Sequence, residues 1–416
     1  MSWGDGVESR GVVYTLDDPS GTGPAMAGAT APVTYQGTFA PRRRRRRGPI
    51  LWSVFGALVL AGAVAAGLVH FDASRSYDAA LERVETAAVA YSVAATDAGE
   101  AIDDGTVAAD AATSIVAAAV DPLVAAEARA GFAEAGATLT SAVASAQQVA
   151  AAELPSSIGE RPVWTWELLA AVPVLEDDAE ALSAQAAELG TATVDIEVSL
   201  AALTDSGQTL VSTVEAAATA LEASNVSARA IVVLDFRDAA DFASSRDRIS
   251  TGAVLAFERY AAAAENLRAS AKSELAEKAG PLRETRLEIE EYARSIAGGV
   301  VLDFDWAPLV NGLGGVYGMS GTATWNTVRG GFSTITLSDS VAENWPSADA
   351  VALVAHEVGH SITSKCSDLF DSEDADANEE WATAWAISMG HTAEGNGVQA
   401  YGYPSQEMID VAATCR

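Results

Sequence analysis

Basic side chains are scarce in this sequence of 416 residues, which has 25 Lys and Arg against 57 Asp and Glu and a formal net charge of −32. A protein that binds nucleic acid needs a basic surface to meet the phosphates. The charge balance therefore excludes nucleic acid as the expected partner and indicates a well-solvated, acidic surface.

Aromatic residues are also few, at 7% of a chain that is 49% hydrophobic, so much of the apolar content is alanine. Alanine favours helices but buries little area per residue, which argues against one large globule. Proline and glycine interrupt the alanine-rich region at residues 120–123, 154–162 and 278–281. We therefore predict an antiparallel helical bundle or jointed stalk over residues 72–280, able to contact a protein or cell-wall partner.

Charge is absent from residues 50–69, ILWSVFGALVLAGAVAAGLV. Twenty helical residues span roughly 30 Å, the thickness of a bilayer core. Six arginines, Arg42–Arg47, stand directly before this run and place that end in the cytoplasm by the positive-inside rule. The leader of more than forty residues argues against a cleaved signal peptide. We expect a disordered cytoplasmic tail at 1–48 and a single-pass plasma-membrane anchor, with the chain beyond His70 outside the cytoplasm.

A pair of tryptophans, Trp164 and Trp166, stands in the segment VWTWELLAAVPVL. Two interpretations remain open. The pair either packs in the core of the helical bundle or forms a surface that stacks on glycans or meets the membrane.

Histidine occurs four times, and two of the four lie in VALVAHEVGHSI, residues 351–362. The β-branched, alternating segment 332–338 precedes it and predicts a strand, and Ser347 is a good N-cap for the helix that follows. On that helix, His356 and His360 project from one face at a spacing that chelates one ion, predicted to be zinc. Glu357 is placed beside them to act as general base on a water molecule.

This motif resembles that of the gluzincin class of zinc metallopeptidases, over about residues 351–390. In that class a second helix supplies a glutamate ligand, which is usually followed four positions later by Asp, Asn or Thr. Here ANEEWATAWAISMG provides Glu379 as the third ligand and Thr383 as a residue expected to support a ligand histidine. The segment after His360 lacks the third histidine of the metzincin class.

Helix geometry separates Glu379 from its neighbour Glu380, which is the alternative ligand. At about 100° per residue, a stripe of small residues lies on the same face as Glu379 and would let the two helices approach closely. Glu380 points about 100° away, towards solvent or the rim. We therefore predict Glu379 as the ligand, with Trp381 and Trp385 in the core.

Three further features concern the residues around this motif. The resemblance implies a His or Tyr donor that stabilises an oxyanion in the transition state, and His391, Tyr401 and Tyr403 are equivalent candidates for it. Cys366 and Cys415, the two cysteines of the chain, are expected to form a disulfide outside the cytoplasm. Calcium is a further candidate cofactor at the acidic loop, whose carboxylates are Asp368, Asp371, Glu373, Asp374 and Asp376.

The expected fold is mainly α, with one transmembrane helix, the helical bundle or stalk, and a small α+β zincin-like domain at residues 281–416. The expected function is hydrolysis of peptide bonds outside the cytoplasm, with the strand at 332–338 pairing with an extended peptide substrate. The alternative is a non-enzymatic envelope protein whose helical region binds a partner and whose zinc site is structural or degenerate. The presence of Glu357 favours the enzyme, because a structural site needs no carboxylate beside the metal and usually has four protein ligands.

Overall fold

The computed structural model describes residues 50–154 and 159–416. The tail and arginine run predicted at residues 1–48 lie outside the described residues. The described chain is mainly helical and carries a small three-stranded sheet near its C-terminus.

Six helices make up the alanine-rich region. They are α1 (Ile50–Ala118), α2 (Ala126–Ala150), α3 (Thr165–Ser212), α4 (Val214–Ala223), α5 (Ala230–Ser244) and α6 (Thr251–Glu277). The interruptions after α1, α2 and α6 fall at the proline- and glycine-containing segments where the sequence predicts them. The breaks before α4, α5 and α6 were not predicted.

Helix α1 includes both the uncharged run and the first helix of the alanine-rich region, without a break between them. Its N-terminal part is long and apolar enough to cross a membrane, judged by length and composition. Every side chain from residue 56 to residue 72 is exposed, and burial begins at Ala73.

Helices α1 and α3 run parallel to each other, and α2 packs against both in the opposite direction. Tyr77 of α1 shares a small core with Leu168 near the start of α3. Further along, Gly105 of α1 packs against Val143 of α2 and Ile196 of α3. A Cβ on Gly105 would come within 2.7 Å of Val143 Cγ2, so glycine permits this close approach. Consecutive helices thus alternate in direction over α1, α2 and α3, which is the arrangement of an antiparallel bundle.

The two tryptophans that precede and begin α3 lie on the surface. Trp164 is 58% exposed and Trp166 is 64% exposed, and their rings stack on each other. The first of the two interpretations, packing in the bundle core, is therefore wrong. The core position on this turn is taken by Leu168, which faces α1 while the tryptophans face away.

The C-terminal part combines a sheet with several short helices. Its elements are α7 (Arg283–Ile296), β1 (Val301–Ala307), β2 (Gly321–Asn326), β3 (Phe332–Ser338), α8 (Asp339–Glu343), α9 (Ala348–Cys366), α10 (Ala375–Ser388), α11 (Val398–Tyr401) and α12 (Gln406–Ala412). The strand order is β1-β3-β2, with β1 parallel and β2 antiparallel to β3.

Strand β3 has the bounds that its alternating sequence predicts, but it is the central strand. Because its backbone is paired on both sides, it cannot accept an extended peptide, and the docking predicted there is wrong. Strand β2 lies at an edge of the sheet. Peptide addition to this sheet therefore requires an edge strand.

Helix α9 packs against one face of the sheet. Ile335 and Leu337 of β3 share a core with Val358 of α9, and Ser333 hydrogen-bonds Ser361 across the same interface at 2.8 Å. The predicted N-cap is confirmed, since the Ser347 side chain accepts a hydrogen bond from the backbone N–H of the third residue of α9. The sheet and this cap fix the direction in which α9 presents its histidines.

The end of α9 is tied to the C-terminus of the chain. Cys366, the last residue of α9, forms a disulfide with Cys415. The indole of Trp385 in α10 donates a hydrogen bond to the backbone carbonyl of Cys415 at 3.0 Å. These contacts hold α10 and the C-terminal residues against the same end of α9.

An ionic cluster joins the helical region to the C-terminal part. Lys278, which follows α6, is buried 3.0 Å from the carboxylate of Glu290 on α7 and 4.0 Å from Glu274 on α6. Arg229, just before α5, bridges Glu274 and Asp305 of β1. We call these five residues the ionic cluster, and it holds α5, α6, α7 and β1 in one arrangement.

Candidate metal centre

Two imidazoles and one carboxylate converge where α9 meets α10. The Nε2 atoms of His356 and His360 lie 3.2 Å apart. Glu379 Oε2 lies 3.2 Å from the first and 3.3 Å from the second. Over residues 50–154 and 159–416, this is the one group of three or more His, Cys, Asp or Glu side chains with the spacing of a metal site.

The spacing of these three atoms fits tetrahedral zinc. Bonds of about 2.0–2.2 Å at tetrahedral angles place neighbouring ligand atoms about 3.3–3.5 Å apart. The three observed separations of 3.2, 3.2 and 3.3 Å form a nearly equilateral triangle close to that size. Two imidazole nitrogens and a carboxylate oxygen are also the donor types that zinc prefers in catalytic sites. Three such ligands would leave a fourth position on a zinc ion for water or substrate.

Close packing of α9 on α10 brings the carboxylate to the histidines. Gly359 lies against the backbone of Ala382, where a Cβ would come within 2.8 Å of the Ala382 carbonyl oxygen. Trp381 is fully buried and donates its indole N–H to the Gly359 carbonyl at 3.0 Å. The small residues predicted on the Glu379 face of α10 thus pack against α9, and Trp381 and Trp385 lie in the core as predicted.

Glu380 faces away from the histidines. Its Oε1 accepts a hydrogen bond from the backbone N–H of Ser405, at the start of α12. The structure therefore brings Glu379 rather than Glu380 to the two imidazoles, in agreement with the helical spacing.

The orientation of His356 is set by a loop that the sequence did not point to. Its Nδ1 donates to the backbone carbonyl of Asn396 at 2.9 Å, which directs the Nε2 lone pair towards Glu379 and His360. Thr383 Oγ1 lies farther away, at 3.4 Å from the same nitrogen. Gly397 follows with φ at +100°, and a Cβ there would come within 2.7 Å of the His356 ring. The Asn396 carbonyl is thus the nearer partner, and Thr383 packs beside it.

Glu357 is buried between α9 and the edge strand β2. A Cβ on Gly321 would come within 2.6 Å of the Glu357 carboxylate, so the backbone of β2 passes directly beside this side chain. Glu357 Oε2 is buried and has no hydrogen-bond partner among the described residues. Burial raises the pKa of Glu357 to about 7, with His356 opposing and Glu379 reinforcing the shift. A carboxylate with such a pKa can both accept and release a proton near neutral pH.

The pKa of Glu379 is shifted in the opposite direction from that of Glu357. Burial favours its neutral form, but hydrogen bonds and charge from His356 and His360 outweigh burial and lower its pKa to about 2. The carboxylate is therefore ionised at neutral pH, which is the form that binds a cation. Two neighbouring glutamates on facing helices thus have pKa values displaced in opposite directions by their surroundings.

Of the three candidates for oxyanion stabilisation, Tyr401 stands next to the site. Its ring lies parallel to that of His356 with centroids 5.9 Å apart, and burial and the charges of Glu379 and Glu357 raise the pKa of its phenol. His391 instead hydrogen-bonds Tyr292 of α7 at 2.9 Å, so its ring is engaged with another helix. Tyr403 is largely exposed beyond the end of α11.

The acidic loop between α9 and α10 has local structural roles. The Asp374 side chain caps α10 by accepting from the Ala377 N–H, and Asp371 accepts from the Glu373 N–H. Within the described parts of the chain, its carboxylates do not gather into a group of three with metal-site spacing. Calcium binding at this loop stays a prediction.

The sequence contains one signal for the loop that orients His356. Asn396 and Gly397 form an Asn-Gly turn dipeptide, and the Asn396 side chain closes the turn by donating to the His391 carbonyl and accepting from the Val398 N–H. A turn could thus have been predicted, but nothing in the dipeptide indicates which side chain its carbonyl meets.

In comparisons with known proteins, no protein-family model, no curated protein and no solved structure matches this chain.

Proposed function

We propose that the protein is a membrane-anchored zinc metallopeptidase that hydrolyses peptide bonds outside the cytoplasm. The observation that carries this proposal is the triangle formed by His356, His360 and Glu379, with the buried and unpartnered carboxylate of Glu357 beside it. The motif HEVGH and its downstream glutamate resemble the gluzincin class in residue type, and the side-chain geometry supports that resemblance.

Each residue has a distinct role in the proposed reaction. When bound, zinc supplies Lewis acidity that activates a water molecule and polarises the peptide carbonyl. Glu357 takes a proton from the attacking water and delivers it to the leaving amine. The Asn396 carbonyl keeps His356 in the tautomer that leaves Nε2 free. Tyr401, whose ring lies beside that of His356, would donate its hydroxyl to the developing oxyanion.

The substrate proposed for this site is an extended peptide that pairs with β2 rather than with β3. Strand β2 is an edge of the sheet, and its first residue, Gly321, packs directly on the Glu357 carboxylate. A peptide that adds to this edge by backbone hydrogen bonds would pass beside the candidate general base. This placement supports an endopeptidase, because a peptide paired with an edge strand can extend past both ends of that strand and be cleaved within its length.

The proposed location rests on two features. The exposed apolar part of α1 supports a membrane anchor, and the disulfide between Cys366 and Cys415 supports an oxidising compartment for the C-terminal part. The orientation, with the N-terminus in the cytoplasm, follows from the arginine run Arg42–Arg47 and the positive-inside rule.

The test compares the wild-type protein with Glu357→Gln. Purified full-length protein is loaded with zinc, its metal content is measured, and cleavage of a peptide library is followed by mass spectrometry. Glu357→Gln should retain one zinc and lose turnover, because it removes the proton acceptor but no ligand.

Glu380→Gln is the matched control, since it makes the same chemical change on a glutamate that faces away from the site. It should retain both zinc and cleavage. If Glu357→Gln cleaves as fast as the wild type, the proposed mechanism is wrong. If the wild-type protein binds zinc and cleaves no peptide, the structural-site alternative replaces the enzyme.

A further inference from the structure

The N-terminal turn of α3 carries an exposed apolar patch. Trp164 and Trp166 stack with ring centroids 5.1 Å apart and planes 10° from parallel. Val163 before them and Leu169 one turn later are also exposed. Large aromatic side chains usually bury their area, so a stacked and exposed pair with apolar neighbours indicates a contact with something outside the described protein.

The patch is in contact with α1 through His70. Thr165, between the two tryptophans, pairs its hydroxyl with the His70 ring at 2.9 Å. His70 directly follows the uncharged run of residues 50–69. The next residue, Phe71, is 68% exposed and adds a third aromatic ring. We call Phe71, Trp164 and Trp166 the aromatic patch.

Several contacts fix this turn of α3 to α1. Leu168 is buried against Tyr77, and the Arg161 guanidinium lies over the Tyr77 ring, 5.4 Å from its centroid. Arg161 also forms an ion pair with Asp78. Because one side of the turn is held by both apolar and ionic contacts, the tryptophans cannot rotate into the core.

We propose that the aromatic patch lies in the headgroup layer of the same membrane that α1 crosses. This inference rests on the membrane anchor of the proposed function. Tryptophan is enriched at the membrane–water interface because it combines a large apolar ring with an N–H that bonds to headgroups and water. The patch is joined to His70, the residue that directly follows the uncharged run, which favours the bilayer over a soluble partner.

The contact gives the protein a second attachment beside α1. A single helix can rotate about its axis and tilt in the bilayer, whereas interfacial aromatic residues restrict both motions. The overall charge of −32 offers no attraction to an anionic membrane surface. The patch therefore acts through apolar and aromatic contact and not through charge.

The test uses full-length protein reconstituted in liposomes that contain lipids with a nitroxide near the headgroup end of the acyl chain. Both native cysteines are in the disulfide, so an introduced cysteine supplies a free thiol for an environment-sensitive fluorophore. Val163→Cys reports on the patch and keeps both tryptophans. Leu60→Cys reports on the anchor, and Val198→Cys, about 50 Å farther along α3, reports on water.

The fluorophore at position 163 should be quenched by the nitroxide lipids and shifted to the blue relative to position 198. Replacing both tryptophans by serine in the Val163→Cys protein should reduce this quenching. Fluorescence at 163 that matches 198 while position 60 is quenched would overturn the proposal and leave the anchor intact. Loss of quenching at position 60 would instead reject the anchor, and the membrane contact with it. Quenching at 163 that survives the loss of both tryptophans would show that α1 alone holds this turn near the bilayer and would also overturn the proposal.

Discussion

Replacing Gly359 by alanine should damage the metal centre without touching a ligand. The added Cβ would lie 2.8 Å from the Ala382 carbonyl oxygen and 2.9 Å from its Cα. Ordinary contact begins at 3.4 Å, so the shortfall at the oxygen is about 0.6 Å. Both neighbours are backbone atoms of α10, which cannot rotate away, so α9 and α10 must separate.

The substitution should affect the free energy of unfolding only modestly and the affinity for zinc more strongly. Overpacking of this kind costs about 1–3 kcal/mol, whereas alanine in place of glycine favours a helix by about 1 kcal/mol. The net loss in the free energy of unfolding is therefore about 0–2 kcal/mol. Metal sites accept ligand displacements of only about 0.2 Å, so a shift of α10 by several tenths of an ångström should weaken zinc binding clearly.

Gly190→Ala is the matched control, because Gly190 lies in α3 with nothing within 4 Å of an added Cβ. It should leave zinc affinity unchanged and raise stability by up to about 1 kcal/mol. Zinc affinity is measured by competition with a chromophoric chelator, and stability by denaturant unfolding of the zinc-free protein. Equal stability and equal zinc affinity in the two variants would refute the close packing of α9 on α10 as the cause of ligand convergence.

Three further predictions follow from the same contacts. Glu379→Gln should weaken zinc binding far more than Glu380→Gln, measured by the same competition, and the reverse order would exchange their roles. Reduction of the Cys366–Cys415 disulfide should lower the free energy of unfolding of the C-terminal part by roughly 4 kcal/mol, because the bridge closes a loop with a sequence separation of 49 and so limits the entropy of the unfolded chain. Thermal unfolding with and without reductant measures this loss, and an unchanged melting temperature would contradict it. Protease added to intact cells should remove the C-terminal domain and spare residues 1–48, and a protected C-terminal domain would contradict the orientation.

Local sequence patterns predicted the features that depend on residues close together in the chain. Ser347 caps α9 because a serine side chain reaches the free N–H groups of the first turn. Strand β3 alternates because one of its faces is buried. The choice of Glu379 over Glu380 followed from helical periodicity, since residues three and four positions apart share a face.

Other features depend on contacts between distant segments and carried no such signal. The Asn396 carbonyl that orients His356 is a backbone atom 40 residues away, and any residue type supplies a carbonyl. Strand β3 could be recognised as a strand, but its central position depends on β1 and β2, whose pairing the sequence does not show. Trp164 and Trp166 suggested a core because aromatic rings are usually buried, and only the position of Leu168 decides which side of the turn packs inward.

The ionic cluster has a consequence for how this protein can change during evolution. Lys278 and Glu290 are both buried, and loss of either removes the nearest partner of the other, leaving Glu290 with Arg294 at 3.2 Å and Lys278 with Glu274 at 4.0 Å. Breaking a buried ion pair in this way costs up to about 3–5 kcal/mol. Replacing both by apolar residues of similar volume is far less harmful. Substitutions at positions 278 and 290 should therefore appear in pairs among descendants of this sequence. A chimera that takes its helical region from a distant relative should fail to fold unless residue 290 on α7 is replaced together with residue 278.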